Sequence, residues 1–421
     1  MTGPQPVNRR RLSQAELDII IAGHERFVAG KPGGKRASLR FADLTDLDLS
    51  RRELSDADFA GSVFDGSKMI GARLLRANLF GCCFRRTDLR HAILTRADIR
   101  GSCLRGANLS GADLTGADFR EGQIAIPHPR KGLDVVRHEK RNGEVDEANF
   151  SGATLDGSNF NGVSAFAADF TDCSMKGAKL SGANLKDANL SGALLEGAEF
   201  AGANMQGARM TGAVLTGVDV SGMKMMGVDL SACLNEPTAE CSERAKEFFE
   251  RALGNKRWCE TGGREGRPAI FDGEDLRPLA ATLRGFSLTA MSAKGACLVG
   301  LDLTGAQLQG ANLESADLRG AILAGADLRG ARLIGANLTK ADLRKAHLLA
   351  LPLGADRSTA THLEHAKLRY ANLEAADLTG AILDQADLRG ADFTGAKLRG
   401  ASVRGAEMSA TVGLDFGQQA A

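Results

Sequence analysis

The chain has 421 residues, a formal net charge of +1 at pH 7, and 43% hydrophobic residues with only 5% aromatics and 51 glycines. An ordinary globular core built around rings is excluded by that composition. No apolar run reaches the ~18 residues of a membrane span, the start lacks a signal-peptide stretch, and the eight cysteines form no CxxC, so a soluble, cytoplasmic chain without disulfide framework or zinc module is expected.

Residues 1–38 read as a tail and a helical cap. The stretch SQAELDIIIAGHERFVA at 13–29 has amphipathic helical spacing, with Ser13 as N-cap and Glu16 completing a capping box. Leu17, Ile20, Ile21 and Phe27 are the residues expected to cover the first turn of the repeat region.

From Leu39 a five-residue rule takes over and holds to Ile124. A helix would smear residues five apart around its whole surface, and a flat strand would throw them onto alternate faces. The interval makes sense if each unit is a short straight segment and a corner. The central apolar residue and the alanine two before it then point inward, Asp or Asn sits one before the centre, and glycine takes the corner. Successive turns must stack to pair their backbone groups.

Residues 125–149 break the register and are expected to form a projecting loop or hairpin, with a turn near Asn142-Gly143. A second run covers 150–235, where Ala165 is a small centre and the inward position enlarges at Val218, Met223 and Val228 towards the end. Residues 236–287 read as a helical linker and cap: SERAKEFFERAL has helical spacing, and 254–276 aligns with 23–44, pairing Phe27 with Trp258. A third run, 288–408, keeps one register although Ala293 and Ser358 replace leucine at its centres. In the tail, 409–421, Leu414 and Phe416 are placed over the final turn.

Tandem A-[DN]-L-x-G, as in GANLSGADLTGADF at 106–119, resembles the pentapeptide repeat family. The resemblance implies an all-β fold, a right-handed quadrilateral β-helix with four units per turn, here in two tandem modules with short helical caps. At a spacing of about 4.8 Å per turn the first two runs would make a rod of roughly 42 Å and the third one of roughly 30 Å.

Catalytic signatures such as GxSxG, HExxH or a P-loop are absent, and the many aspartates follow from the repeat, so no enzyme, cofactor or metal is expected. His362, Glu364 and His365 would be splayed apart by a strand-and-corner geometry. Cys83 and Cys103 share an outward position twenty residues apart, which four units per turn would stack as a thiol pair. Residues 73–141 carry 14 basic and 7 acidic side chains, whereas 142–240 carry 5 and 13. Arg85, Arg86, Arg90, Arg96, Arg100 and Arg105, with an outward Phe80, form a candidate patch for a protein partner with an acidic surface.

The residues thus point to a non-catalytic scaffold or protein-interaction module presenting a rigid four-sided surface. The alternative rests on the resemblance: some relatives act on DNA gyrase as acidic mimics of duplex DNA, and only 142–240 has the required sign. Direct DNA binding lacks a groove-reading helix and stacking aromatics, and an open solenoid end would suit a homodimer.

Overall fold

A pentapeptide cannot be an α-helix turn or a strand repeat, and the backbone resolves the mismatch by turning a corner in every unit. The computed structural model describes residues 9–128, 132–354 and 357–414. Asn108 pairs in parallel with Asp88 of the preceding turn and Asn149 of the next. Leu89 N–H donates to the Asn108 carbonyl (2.7 Å), Asn108 N–H donates to the Thr87 carbonyl (2.9 Å), and Ala92 N–H closes a β-turn on the Leu89 carbonyl (3.0 Å). The third residue of that turn has positive φ, 55° at His91 and 68° at Gly111, as a type II turn demands. The same three bonds recur along the chain, so bridges are single residues at intervals of twenty and the coil is a β-helix without long strands.

The bore is filled as the interval requires. Leu104, Leu109 and Leu114 and the alanines Ala107, Ala112 and Ala117 are buried. Where a polar residue replaces the inward alanine, its hydroxyl finds a carbonyl, of the preceding turn for Ser67 on Leu44 O (2.7 Å), Thr87 on Phe64 O (2.8 Å) and Ser102 on Leu79 O (2.8 Å), and of its own turn for Ser158 on Leu155 O (2.6 Å). Rings one turn apart stack, Phe64 on Phe84 at 4.9 Å and Phe150 on Phe170 at 5.0 Å between centroids.

The chain divides into two compact units, Met1–Glu236 and Pro237–Ala421. In the first, the open edge of the first turn is satisfied group by group. Strand β1 (Arg10–Arg11) pairs in parallel with β2 (Ala42–Asp43). Helix α1 (Gln14–Val28) starts from a complete Ser13–Glu16 capping box and buries Leu17, Ile21 and His24. Gln14 is bonded to both backbone groups of Asp48 (2.9 Å each), and Glu25 accepts from Glu53 N–H (3.4 Å). His24 takes the remaining wall, accepting from Ala37 N–H (3.1 Å) and bonding the Ser55 carbonyl (3.0 Å). Phe27 does not cover the coil: it is 45% exposed and lies against His24, because the helix turns its Leu17–Ile21–His24 stripe inward instead.

The second unit opens with α2 (Ala239–Glu243) and α3 (Ala245–Glu260), whose buried residues are Phe248, Ala252 and Asn255. Asn255 accepts from Ala269 N–H (2.7 Å) and donates to the Thr289 carbonyl (3.1 Å). In both caps a glycine, Gly34 or Gly266, runs so close to the helix backbone that a Cβ would collide with it.

Three boundaries differ from the sequence reading. The first coil leaves the tube after Phe119, not Ile124, because Ile124 belongs to a hairpin of β3 (Gly122–His128) and β4 (Gly132–Arg141). It resumes at Val145 rather than Phe150, as Cys103 pairs with Glu144. Asn142-Gly143 is therefore no hairpin turn: Gly143 is an inward small residue pressed against the Phe119 carbonyl, and residues 129–131, between the two strands, lie outside the described residues. The second coil begins at Phe271, since Ile270 already pairs with Ser292. Finally, Ser358 is no core centre. Arg332 pairs with His362, thirty residues on, and the chain between leaves the tube as a small hairpin of β5 (Leu351–Pro352) and β6 (Ser358–Thr359). Phe416 lies outside the described residues.

Candidate interaction surface

Outside the bore each unit offers the residue before the centre, the residue after it, and the corner. The aspartate before the centre is largely spent on its own unit. Asp113 accepts from Thr115 N–H (3.0 Å) and its hydroxyl (2.6 Å). Where arginine stands at that second place, the pair becomes a bidentate clasp: Arg90 on Asp88, Arg100 on Asp98 and Arg120 on Asp118, each with an Nη2–Oδ2 distance of 2.7 Å. Burial opposes ionisation of Asp88 and Asp118, but the hydrogen bonds from Arg90 and Arg120 outweigh it and hold both carboxyls below the usual range.

The candidate arginines do not form one patch. Four units per turn send them to every side of the tube. Arg100 and Phe80 follow centres Ile99 and Leu79 on one wall; Arg85 and Arg105 follow Phe84 and Leu104 on the next; Arg90 follows Leu89 on the third; and Arg86 and Arg96 occupy left-handed corners at φ 55° and 57°. Arg105 is bound by Glu144 and by Asp146 (3.0 Å), and Arg85 lies 3.9 Å from Asp65. Arg86 and Arg96 make no side-chain hydrogen bond or ion pair among the described residues. A linear run of positive charge is thus not a surface patch when the chain turns every five residues.

Phe80 is committed as well. A Cβ on Gly122 would lie 2.5 Å from its ring, so the base of the β3–β4 hairpin sits on it, while the Arg100 guanidinium stands 5.4 Å from its centroid. Arg141 at the other foot donates to the Gly81 carbonyl (2.8 Å). The hairpin leaves the tube between the Phe119 wall and the Val145 wall, flanked by Arg100 and Arg120 on one side and Arg85 and Arg105 on the other. The sequence shows an interruption here but not its anchorage, for which only the glycine at 122 and the arginine at 141 carry a signal.

Cys83 and Cys103 are paired residues of adjacent turns. Both are free thiols, pushed up by burial, and the Arg85 side chain is hydrogen-bonded to Cys103. His362 Nδ1 meets Glu364 Oε1 at 2.9 Å, while His365 occupies a corner at φ 59°. No group of three or more metal-ligating side chains occurs among the described residues. In the second unit a cleft of about 780 Å³ runs between α3 and residues 266–270. Its Arg251 is tied to Glu247, to Glu274 (3.3 Å) and to the Ile270 carbonyl (3.1 Å), which makes the cleft part of the cap's own bracing. Among the described residues no helix is long and apolar enough to cross a membrane.

Comparison with known proteins gives the family. The model described as pentapeptide repeats matches residues 35–69, 57–96, 72–111, 92–123, 146–182, 193–231, 311–348, 359–395 and 371–410, more than half of the chain. Among solved structures, the chain is similar to HetL, a pentapeptide repeat protein involved in heterocyst differentiation regulation in the cyanobacterium Nostoc sp. strain PCC 7120, at 20% identity over 91% of each chain with a TM-score of 0.13. A trypsin-treated form of QnrB1, a plasmid-mediated fluoroquinolone resistance protein, is 22% identical over 52% of this chain and 92% of its own, with a TM-score of 0.23. Rfr23, from the cyanobacterium Cyanothece 51142, is 38% identical over 27% of this chain and 63% of its own, with a TM-score of 0.13. Superpositions at these scores carry no argument of their own. No curated protein matches the chain. With the family model covering most of the coil, and the bridges at intervals of twenty showing how the five-residue unit closes, the chain belongs to the pentapeptide repeat family.

Proposed function

We propose that the protein is a non-catalytic scaffold of two capped modules in tandem, which engages a protein partner of acidic surface through the β3–β4 hairpin and the two walls beside it. The observation that carries the reading is the seating of the hairpin. Its feet are fixed to the tube by Gly122 on Phe80 and by Arg141 on the Gly81 carbonyl, so a rigid wall delivers a projecting element at a set angle. The flanking Arg85, Arg100, Arg105 and Arg120 each face a carboxylate of the tube, so the positive excess that would steer an acidic partner is that of the segment 121–141, with five basic and three acidic side chains. The cysteines are free thiols, which suits a reducing cytoplasm.

The test uses the frame of the coil. Removing residues 122–142 brings Gly143 and Val145 into step behind Phe119 and restores the five-residue interval, so the tube should close without the hairpin. Affinity capture from the native host, compared between the full chain and this deletion, should lose its enriched partner while circular dichroism stays unchanged. Equal recovery with the deletion and with the R85A/R105A double variant at low salt would refute the assignment.

A second reading, mimicry of duplex DNA, draws on one contrast. In 142–240 some carboxylates are held by hydroxyls and amides that leave their charge in place, as Asp156 is by Ser174 Oγ (2.6 Å) and Lys176 N–H (2.9 Å), although Glu144 and Asp146 are paired with Arg105. A supercoiling assay with purified gyrase separates the two readings, because a mimic changes the activity and a scaffold for another protein leaves it unchanged.

A further inference from the structure

The two caps solve one problem with different side chains. At the start of each coil, the first inward residue has no preceding unit whose carbonyl its N–H could reach, and on the adjoining wall the carbonyl after the fourth centre has no corner N–H of an earlier turn to accept from. In the first unit these are Ala37 N–H and Ser55 C=O, and both are met by His24 (3.1 and 3.0 Å). In the second they are Ala269 N–H and Thr289 C=O, and both are met by Asn255 (2.7 and 3.1 Å). Both side chains are fully buried. They also stand at matching places in sequence, each after a glycine and three before the aromatic residue Phe27 or Trp258.

The partners dictate the protonation state of His24. An N–H group can only donate and a carbonyl can only accept, so Nδ1 must carry a lone pair and Nε2 the proton. A second proton on Nδ1 would set two donors against each other across the Ala37 contact. Asn255 makes the same two bonds with an amide that does not titrate. We infer that the cap of the first unit is an acid-released latch: protonation of His24 frees α1 from the tube and bares the unpaired backbone edge of the first turn, while the cap of the second unit stays shut.

The surroundings bear on the direction. Burial lowers the His24 pKa from 6.5, against the pull of the Ser55 bond and of Glu53 and Asp56 on the first turn; Arg36, on the segment entering the coil, adds to the lowering. Glu25 and Asp18 on α1 itself are turned to Arg52, and Phe27 stacks at 6.0 Å. With the closed-state value below the open-state one, closure is complete above pH 6.5 and weakens as pH falls below it. The opening constant rises by at most about tenfold per pH unit in that window, so about thirtyfold is the ceiling between pH 8 and pH 5.

Hydrogen–deuterium exchange of the full chain, read by mass spectrometry and corrected for intrinsic rates, tests this with an internal control. Peptides spanning 12–40 should show a rise in opening between pH 8 and pH 5, up to about thirtyfold, and peptides spanning 245–292 no rise. His24→Asn should flatten the first profile, and Asn255→His should bring the same rise to the second cap. A flat wild-type profile, or a rise that persists in His24→Asn, overturns the latch. Should His24→Asn fail to fold, the Asn255→His profile alone decides, since a merely structural role leaves it flat.

Discussion

Replacing Leu328 by alanine tests whether the bore of the second coil is packed as a single column. Leu328 is fully buried, as are Leu308 and Leu348 on the same wall one turn before and after it. Losing three carbons removes about 2.5 kcal/mol of transfer free energy at ~0.8 kcal/mol per methylene. A tube whose walls are tied turn by turn by backbone bonds cannot collapse into the gap, so the cavity raises the cost to about 3–4 kcal/mol. The same truncation at Met408, only partly buried in the last turns, should cost less than about 1.5 kcal/mol because the end of a stacked array frays without loss to the rest. Guanidinium unfolding followed by fluorescence reads the second unit alone, since Trp258 is the chain's one tryptophan. A Leu328→Ala cost below about 1 kcal/mol, or equal to that of Met408→Ala, would refute the packed bore.

Three further outcomes are expected from the same geometry. Gly143→Ala should destabilise the first unit by more than about 2 kcal/mol, because its Cβ would meet the Phe119 carbonyl, whereas Gly116→Ala, at φ 66° with only Arg96 Cγ nearby at 3.5 Å, should cost about 1 kcal/mol; circular dichroism melts compare the two. The clasped aspartates set an acid limit. Burial opposes the ionisation of Asp327, Asp377 and Asp387, but hydrogen bonds from Arg329, Thr379 and Arg389 hold them below 3.8, so the Trp258-reported midpoint should be level from pH 8 to 5 and fall once pH drops below about 3.8. Cys83 and Cys103, whose thiols are pushed up by burial, should react with a disulfide reagent at pH 8 far more slowly in the folded than in the unfolded chain; a rapid two-thiol burst would contradict this.

The tube itself is legible in the sequence because its rule is local: Leu109 points inward for the same reason that Leu114 does, and no distant contact is needed to say so. Breaks in the tube are legible only when they break the arithmetic. The segment between Phe119 and Val145 shifts the frame and so stands out, although the Asn142-Gly143 signal misplaces its ends. The excursion containing Ser358 adds a whole number of units, so the frame on either side agrees and the sequence looks unbroken. His24 and Asn255 escape notice because a polar residue in an amphipathic helix announces no partner; the need for them comes from the unpaired edge, which exists only once the coil is built. The arginines fail as a patch for the converse reason, since neighbours in sequence are set a quarter-turn apart.

The five-residue rule also limits where recognition can be written. Two places in each unit face the bore, one is reserved for a left-handed corner, and the aspartate or asparagine before the centre is bonded to the amide two residues on, as Asn108 is to Ser110 and Asp317 to Arg319. Only the residue after the centre is free to vary, and in the clasped units even that arginine returns to its own aspartate. A partner that read the walls alone would therefore meet a column of single side chains at ~4.8 Å spacing, most of them already satisfied. The departures from the rule carry more information for each residue: Arg86 and Arg96 raised on corners, and the hairpin seated on Phe80. Selection for binding can act on these without disturbing the bore, whereas a change at Leu104 or Ala107 alters the tube first. Deleting the hairpin should accordingly abolish recognition while leaving every turn of the coil in place.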